Sequence, residues 1–200
     1  MTYFGVLLTF IVPPLLALLV LVPRDAWRAA LGRGGPVNWL PYGAVLLHVF
    51  IAVAYTTPWD NYLVATDVWW YDPDLVTGIR LGYVPIEEYT FFVVQTLLTG
   101  LWTVGLMRDV FTSPPTVRES VRGRRAATVV AGIAWLAALV LLVAGWQPGR
   151  YLAFILGWAL PPLMLQLLCG ADILLANRRL LAAEIIPPTA YLWLVDALAI

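Results

Sequence analysis

Two adjacent glutamates, Glu87 and Glu88, stand near the start of the apolar run Leu81–Trp102, two residues after Pro85 and just before Tyr89, Phe91 and Phe92. Carboxylates set against aromatic rings at membrane depth suit acid chemistry on an apolar substrate. Two close carboxylates cannot both ionise cheaply, which favours a proton donor among them. Helical spacing puts Glu88, Phe92, Gln95, Thr99 and Trp102 on one stripe. A glutamine facing lipid is costly, so this stripe is expected to face the protein interior. Glu88 is then the expected buried acid, and Glu87, beside Phe91, Val94 and Leu98, the neighbour that tunes it. Pro85 fits the first position of a helix, and acidic residues in the turn that follows also stabilise the helix dipole without any further role.

Other polar residues are placed to join this pair. Asp60 is expected to close the second helix on the same side and to share a pocket with Glu88, with Asn61 positioned to hydrogen-bond a carboxylate; a simple interfacial cap is the plainer alternative. Asp196 lies inside the sixth helix, where a carboxylate is expensive and points to function. The segment Thr57–Tyr83 carries Trp59, Tyr62, Asp67, Trp69, Trp70, Tyr71, Asp72 and Asp74, more aromatics than a plain connector needs, although an interfacial aromatic belt has the same composition. His48 is expected to be a packing histidine and Cys169 a small buried hydrophobe. Asp172 is expected to pair with Arg178 and Arg179.

The scaffold for these residues is a membrane one. The chain of 200 residues is 62% hydrophobic and 12% charged, against about a quarter charged in a soluble domain. Apolar runs predict spans at Tyr3–Val22, Asn38–Thr56, Val84–Leu106, Thr128–Gly145, Tyr151–Ala176 and Ile185–Ile200, the last cut short, giving an all-α polytopic transmembrane bundle. The first run has no basic segment before it and reads as a retained helix rather than a signal peptide. Arg24, Arg28, Arg33, Arg108, Arg118, Arg122, Arg124, Arg125, Arg178 and Arg179 fall in one set of loops, Arg80 and Arg150 in the other. That bias predicts a multi-pass protein of the plasma membrane with its N-terminus outside. The loop Asp109–Ala127, with Ser113-Pro114-Pro115, reads as a basic cytoplasmic linker.

An internal repeat is expected as well. Tyr3 precedes Pro13-Pro14-Leu15 by ten residues, as Tyr151 precedes Pro161-Pro162-Leu163, and Pro58-Trp59-Asp60 is echoed by Leu194-Val195-Asp196. Residues 1–107 then form a first three-helix unit, 108–148 the linker with a fourth helix, and 149–200 a second unit lacking its third helix. A further C-terminal segment or a second subunit is expected to supply the missing helix, since the next Glu-bearing helix would start roughly two dozen residues beyond Ile200.

Several classes are excluded. All twelve basic residues are arginine, so Schiff-base chemistry and a phosphate-binding P-loop lysine are absent. One cysteine and one histidine leave no disulfide and no zinc set. Zero net charge implies no nucleic-acid partner. No Gly-x-Gly-x-x-Gly fingerprint occurs, so no dinucleotide cofactor is expected.

At Val84–Phe92 the sequence resembles the integral-membrane lycopene cyclases of the small heterodimeric or fused type found in bacteria, archaea and fungi. Their Pro-x-Glu-Glu-x-x-Phe motif is matched by Pro85, Glu87, Glu88 and Phe91. Pro13-Pro14, Trp59-Asp60-Asn61-Tyr62 and Tyr191-Leu192-Trp193 with Asp196 also look like that family. The resemblance implies a lipophilic carotenoid substrate within membrane lipid. It implies cyclisation of its linear ends without net redox change and without a metal or cofactor. A carboxylic acid would protonate the terminal double bond, with Glu88 or Glu87 as acid and Asp60 or the other glutamate as base. Trp59, Tyr62, Trp69, Trp70, Tyr89, Phe91 and Phe92 are the rings available to hold the cation, with Asn61, Gln95 and Asp196 also toward substrate. Two other classes compete. A membrane prenyltransferase would hold magnesium diphosphate on Asp67, Asp72 and Asp74, and a proton-coupled transporter or scaffold would use a repeat with buried acids.

Overall fold

The structure is a computed structural model that describes residues 1–24, 36–107 and 117–199. Arg28, Arg33, Arg108, Ser113-Pro114-Pro115 and Ile200 lie outside the described residues. Among the described residues six helices are long and apolar enough to cross a membrane: α1 Tyr3–Leu21, α2 Leu40–Ala65, α3 Ile86–Leu106, α4 Val121–Val143, α5 Arg150–Ala176 and α6 Arg178–Ala199. The protein is an all-α, multi-pass membrane protein. Large apolar side chains such as Phe50, Val143 and Trp193 stand 70%, 90% and 76% exposed, as expected of surfaces that lipid covers rather than water.

Three helix limits differ from those the apolar runs predict. α2 continues nine residues past Thr56, so Pro58 and Asp60 lie within the helix rather than at its close. The polar cluster there reads as an end, but it is absorbed locally. The Thr57 hydroxyl donates to the Val53 carbonyl at 2.6 Å and Asn61 Nδ2 to the Thr57 carbonyl at 2.8 Å. α4 starts at Val121 and takes Arg122, Arg124 and Arg125 into its first turns, with Ser120 capping the Gly123 N–H at 3.1 Å. α6 starts at Arg178, not Ile185, and is therefore long enough to span.

Proline pairs recur inside α1, α5 and α6. Proline has no N–H, so the carbonyl four residues earlier loses its helical partner. In α1 the turn before Pro13 and Pro14 widens to a π-helix over Leu7–Ile11. The Phe10 carbonyl that Pro14 leaves free accepts from the Tyr191 hydroxyl at 2.6 Å. In α5 the Gly157 carbonyl freed by Pro161 accepts from the Trp135 indole at 2.9 Å. In α6 the Ala183 carbonyl freed by Pro187 accepts from the Trp102 indole at 3.0 Å. A backbone acceptor that would be costly in lipid is thus used each time as an interhelical anchor.

The chain divides into two compact units, Met1–Ser113 with Ala182–Ile200, and Pro114–Leu181. In the first, Leu7, Ile11 and Leu15 of α1 pack with Val45 of α2, Leu98, Leu101 and Val104 of α3 and Val195 of α6. Gly100 lets α2 approach α3 closely, since a Cβ there would meet Val45 at 2.8 Å. Between α2 and α3 a short antiparallel hairpin pairs β1 (Arg80–Leu81) with β2 (Val84–Pro85), where the apolar pattern predicts helix from Val84. In the second unit α4 and α5 pack along their length. Their connection turns on Gly145, whose φ of 67° suits a residue without a Cβ.

Candidate active site

Pro85, with φ −69° and ψ 153°, is the N-cap of α3 rather than its first helical residue, and it sends Glu87 and Glu88 into the first turn. The hairpin before it is held from α2. Asn61 accepts from the Tyr83 N–H at 2.7 Å and donates to the Tyr89 hydroxyl at 3.1 Å, while that hydroxyl donates to the Leu81 carbonyl at 3.0 Å. Gly82, at φ 71°, makes the turn, and a Cβ on it would run into the Asn61 side chain. Asn61 therefore positions the entry of α3 and does not bond a carboxylate as expected.

A cavity of about 630 Å³ opens at this end of α3. Glu87, Glu88 and Phe91 line it from α3, Tyr3 and Ile11 from α1, Leu192, Val195 and Asp196 from α6, and Trp70, Asp72 and Leu75 from the loop. The wall is largely apolar and carries four carboxylates, Asp72, Glu87, Glu88 and Asp196. Glu87 is 1% exposed. Its Oε1 accepts from the Thr77 N–H at 2.6 Å, and its Oε2 is buried with no hydrogen-bond partner. Glu88 is half-buried and interacts electrostatically with Asp60 and Glu87.

The burial order is the reverse of the one the stripe argument predicts. The inward face of α3 carries Glu87, Leu98 and Leu101. The argument misleads because the Thr99 hydroxyl is satisfied within its own helix, donating to the Gln95 carbonyl at 3.0 Å. Gln95 is half-buried and is not part of the cavity wall, whereas Trp102 does reach inward to α6.

The remaining predicted residues divide cleanly. Trp70, Phe91 and Asp196 join the cavity. Asp60, 5% exposed, is buried on α2 behind Glu88 and is not among the lining residues. Trp59 and Tyr62 lie ring to ring at 6.0 Å, with Tyr62 49% exposed. Tyr89 and Phe92 meet edge-on at 5.9 Å, and Trp69 meets Tyr71 at 6.3 Å. None of these six rings lines the cavity.

Tyr3 is a functional candidate that sequence reasoning passed over, and its ring packs edge to face at 5.8 Å against Tyr71, one of the aromatics noted in the loop. Burial, with the Glu88 and Asp60 carboxylates nearby, pushes the Tyr71 phenol well above its ordinary range. Tyr3 donates its backbone N–H to the Leu75 carbonyl at 3.0 Å, tying the start of α1 to the loop. Its one legible signal was its place ten residues before the proline pair. Asp72 accepts from the Asp74 N–H at 3.0 Å. Among the described residues no three His, Cys, Asp or Glu side chains gather as a metal site, so Asp67, Asp72 and Asp74 do not form the magnesium cluster a prenyltransferase would need.

Elsewhere the polar residues are locally paired. His48 is exposed, and its Nδ1 lies 2.7 Å from the Ala44 carbonyl. Cys169 is exposed rather than buried. Asp172 is paired, but with Arg124 at 2.8 Å, the Ser120 N–H at 2.7 Å and the Ile173 N–H at 2.9 Å, in place of Arg178 and Arg179.

The whole chain aligns with the lycopene beta-cyclase of Halobacterium salinarum, 40% identical over 200 residues that make up 78% of that protein. It is also 36% identical to the bifunctional lycopene cyclase/phytoene synthase of Podospora anserina, over 94% of this chain and 31% of that longer one. The corresponding bifunctional protein of Colletotrichum graminicola is 35% identical over 78% of this chain. No family model matches the chain, and no solved structure matches it significantly.

Proposed function

We propose that this chain, which belongs to the lycopene cyclase family, cyclises the linear ends of lycopene by protonating a terminal double bond from the Glu87–Glu88 pair. The observation that carries the reading is the cavity, an apolar chamber with two adjacent carboxyls in its wall, one of them with a buried, unpartnered oxygen. Such a wall accepts a hydrocarbon end and offers it a proton with little competing water.

Glu88 is the donor on this reading, for a reason different from helix phase. An acid must touch its substrate, and Glu88 is reached from the cavity while Glu87 is almost wholly enclosed and tied to Thr77. Glu87 and the buried Asp60 are the carboxyl groups beside Glu88. Tyr3, Trp70 and Phe91 are the rings facing the cavity, so of the seven rings first expected to hold the cation Trp70 and Phe91 keep that role, and Tyr3 joins them. Each well-placed ring contributes about 0.5–2 kcal/mol.

The arginine bias supports a plasma-membrane orientation with the N-terminus and the acid end of α3 toward the outer face. The repeated proline pairs support a parallel three-helix repeat, divided at residues 107 and 148. The test is direct. Membranes holding the full-length protein and lycopene should form cyclic carotenoid, and Glu88→Gln should leave lycopene linear. A Glu88→Gln protein that still cyclises would overturn the acid assignment.

A further inference from the structure

A cyclisation begun by proton transfer has to end in proton loss. On the cyclase reading, the Glu88 O–H breaks as a C–H bond forms at the terminal double bond. The electron pair of a second double bond then closes the ring, leaving a cation on a tertiary ring carbon. Three carbons next to it carry hydrogens: two in the ring and one methyl. Whichever C–H is broken supplies the electron pair of the new C=C bond, so the position of the base decides the ring type.

We propose that Asp196 is this base and therefore a specificity-determining residue. It lines the same cavity as Glu88 but from α6 rather than α3, so acid and base address the closing ring from separate walls. Its register is fixed by two residues that precede it on α6. Tyr191, five residues earlier, donates its hydroxyl to the Phe10 carbonyl at 2.6 Å, and Val195 is 5% exposed in the core of the first unit. Tyr3 stands within electrostatic reach of both Glu88 and Asp196, with its ring at the cavity wall where the cation would form.

A base must also carry its charge when the cation appears. Asp196 shares the cavity wall with Glu88, so the ring cation would form beside it and offset the cost of its charge. Asp60, the base first considered, is 5% exposed and absent from the cavity wall. One proton leaves Glu88 for substrate and one leaves substrate for Asp196, so the sequence balances without oxidant or reductant.

The inference rests on the cyclase reading, and the test separates the two. Membranes holding full-length wild-type protein, Asp196→Asn, Asp196→Glu or Asp60→Asn are given lycopene, and the products are resolved by ring type. Asp196→Asn is expected to cut turnover by about 100-fold or more and to spread the residual product over several ring types. Asp196→Glu, which moves the carboxylate by one methylene, should recover turnover with an altered ring mixture. Asp60→Asn should slow the reaction while keeping the wild-type ring type. Loss of all product in Asp196→Asn with recovery in Asp196→Glu supports the assignment equally. It is overturned by a wild-type rate and ring type in Asp196→Asn, or by both Asp196 variants leaving lycopene wholly unconsumed, since a base acting after ring closure tolerates the glutamate. A wild-type protein that forms no cyclic carotenoid fails the cyclase reading itself.

Discussion

Two regions of this protein bury carboxylates, and they do it in opposite ways. In the unit Pro114–Leu181, Asp172 has a guanidinium and two backbone N–H groups around it at 2.7–2.9 Å. Its charge is fully met, and the group acts as a clasp between the start of α4 and the end of α5. In the other unit Glu87, Glu88 and Asp60 crowd together, and one Glu87 oxygen has no partner at all. Such a cluster is poor as a stabilising device, because each charge raises the cost of the next. On the proposed reading it keeps a proton in the cluster until substrate arrives to take it. Paired burial marks structure in this molecule, and the proposed chemistry falls where a buried oxygen beside a cavity is unpaired.

That contrast can be broken most directly at Glu88. Replacing it with glutamine should reduce ring formation by at least about 100-fold, read as accumulated lycopene, with the protein still present in the membrane. Glu87→Gln should act in the same direction but less, by about tenfold, because its amide oxygen still accepts from Thr77; a loss equal to that of Glu88→Gln would assign the donor role to Glu87. On the paired side, Arg124→Gln should leave ring type untouched and lower the melting temperature of detergent-solubilised protein by roughly a few degrees. A large loss of ring formation without loss of stability would dissolve the distinction between the two regions. The smallest effect is expected at the proline-freed carbonyls. Trp135→Phe and Trp102→Phe each remove one interhelical hydrogen bond, worth about 0.6–1.5 kcal/mol, measurable as earlier unfolding in denaturant.

Much of the scaffold was legible because its causes are local. A run of apolar residues long enough to cross a bilayer is a helix whatever surrounds it, since the backbone has no other way to satisfy itself in lipid. The first turn of α3 was equally legible, from Pro85 and the two glutamates behind it. The extension of α2 through Pro58 was not, because Thr57 and Asn61 return their hydrogen bonds to their own helix and erase what looks like a terminus. The hairpin at Arg80–Pro85 escaped for a related reason. Its pattern is four residues long, and its anchor, Asn61, lies in a different element.

The site was legible in type and not in arrangement. Helical phase gave the 100° between Glu87 and Glu88, but nothing in α3 alone says which of those directions meets other helices. Asp172 invited a cation, and Arg178 and Arg179 were nearest along the chain; Arg124, 48 residues away, is nearest in space.

The sequence by itself determined six spans, the acidic first turn of α3 and three proline pairs that each strip a carbonyl of its helical partner. Those follow from backbone hydrogen bonding, which operates over four or five residues. Only the tertiary structure decided what answers them: Tyr191 for Phe10, Trp135 for Gly157 and Trp102 for Ala183. It also decided that Glu87 is enclosed, that Glu88 and Asp196 face one cavity, and that Tyr3 stands beside them. The reason is that side-chain partners are chosen by packing between elements distant in the chain, and packing is a property of the assembled helices rather than of any one of them.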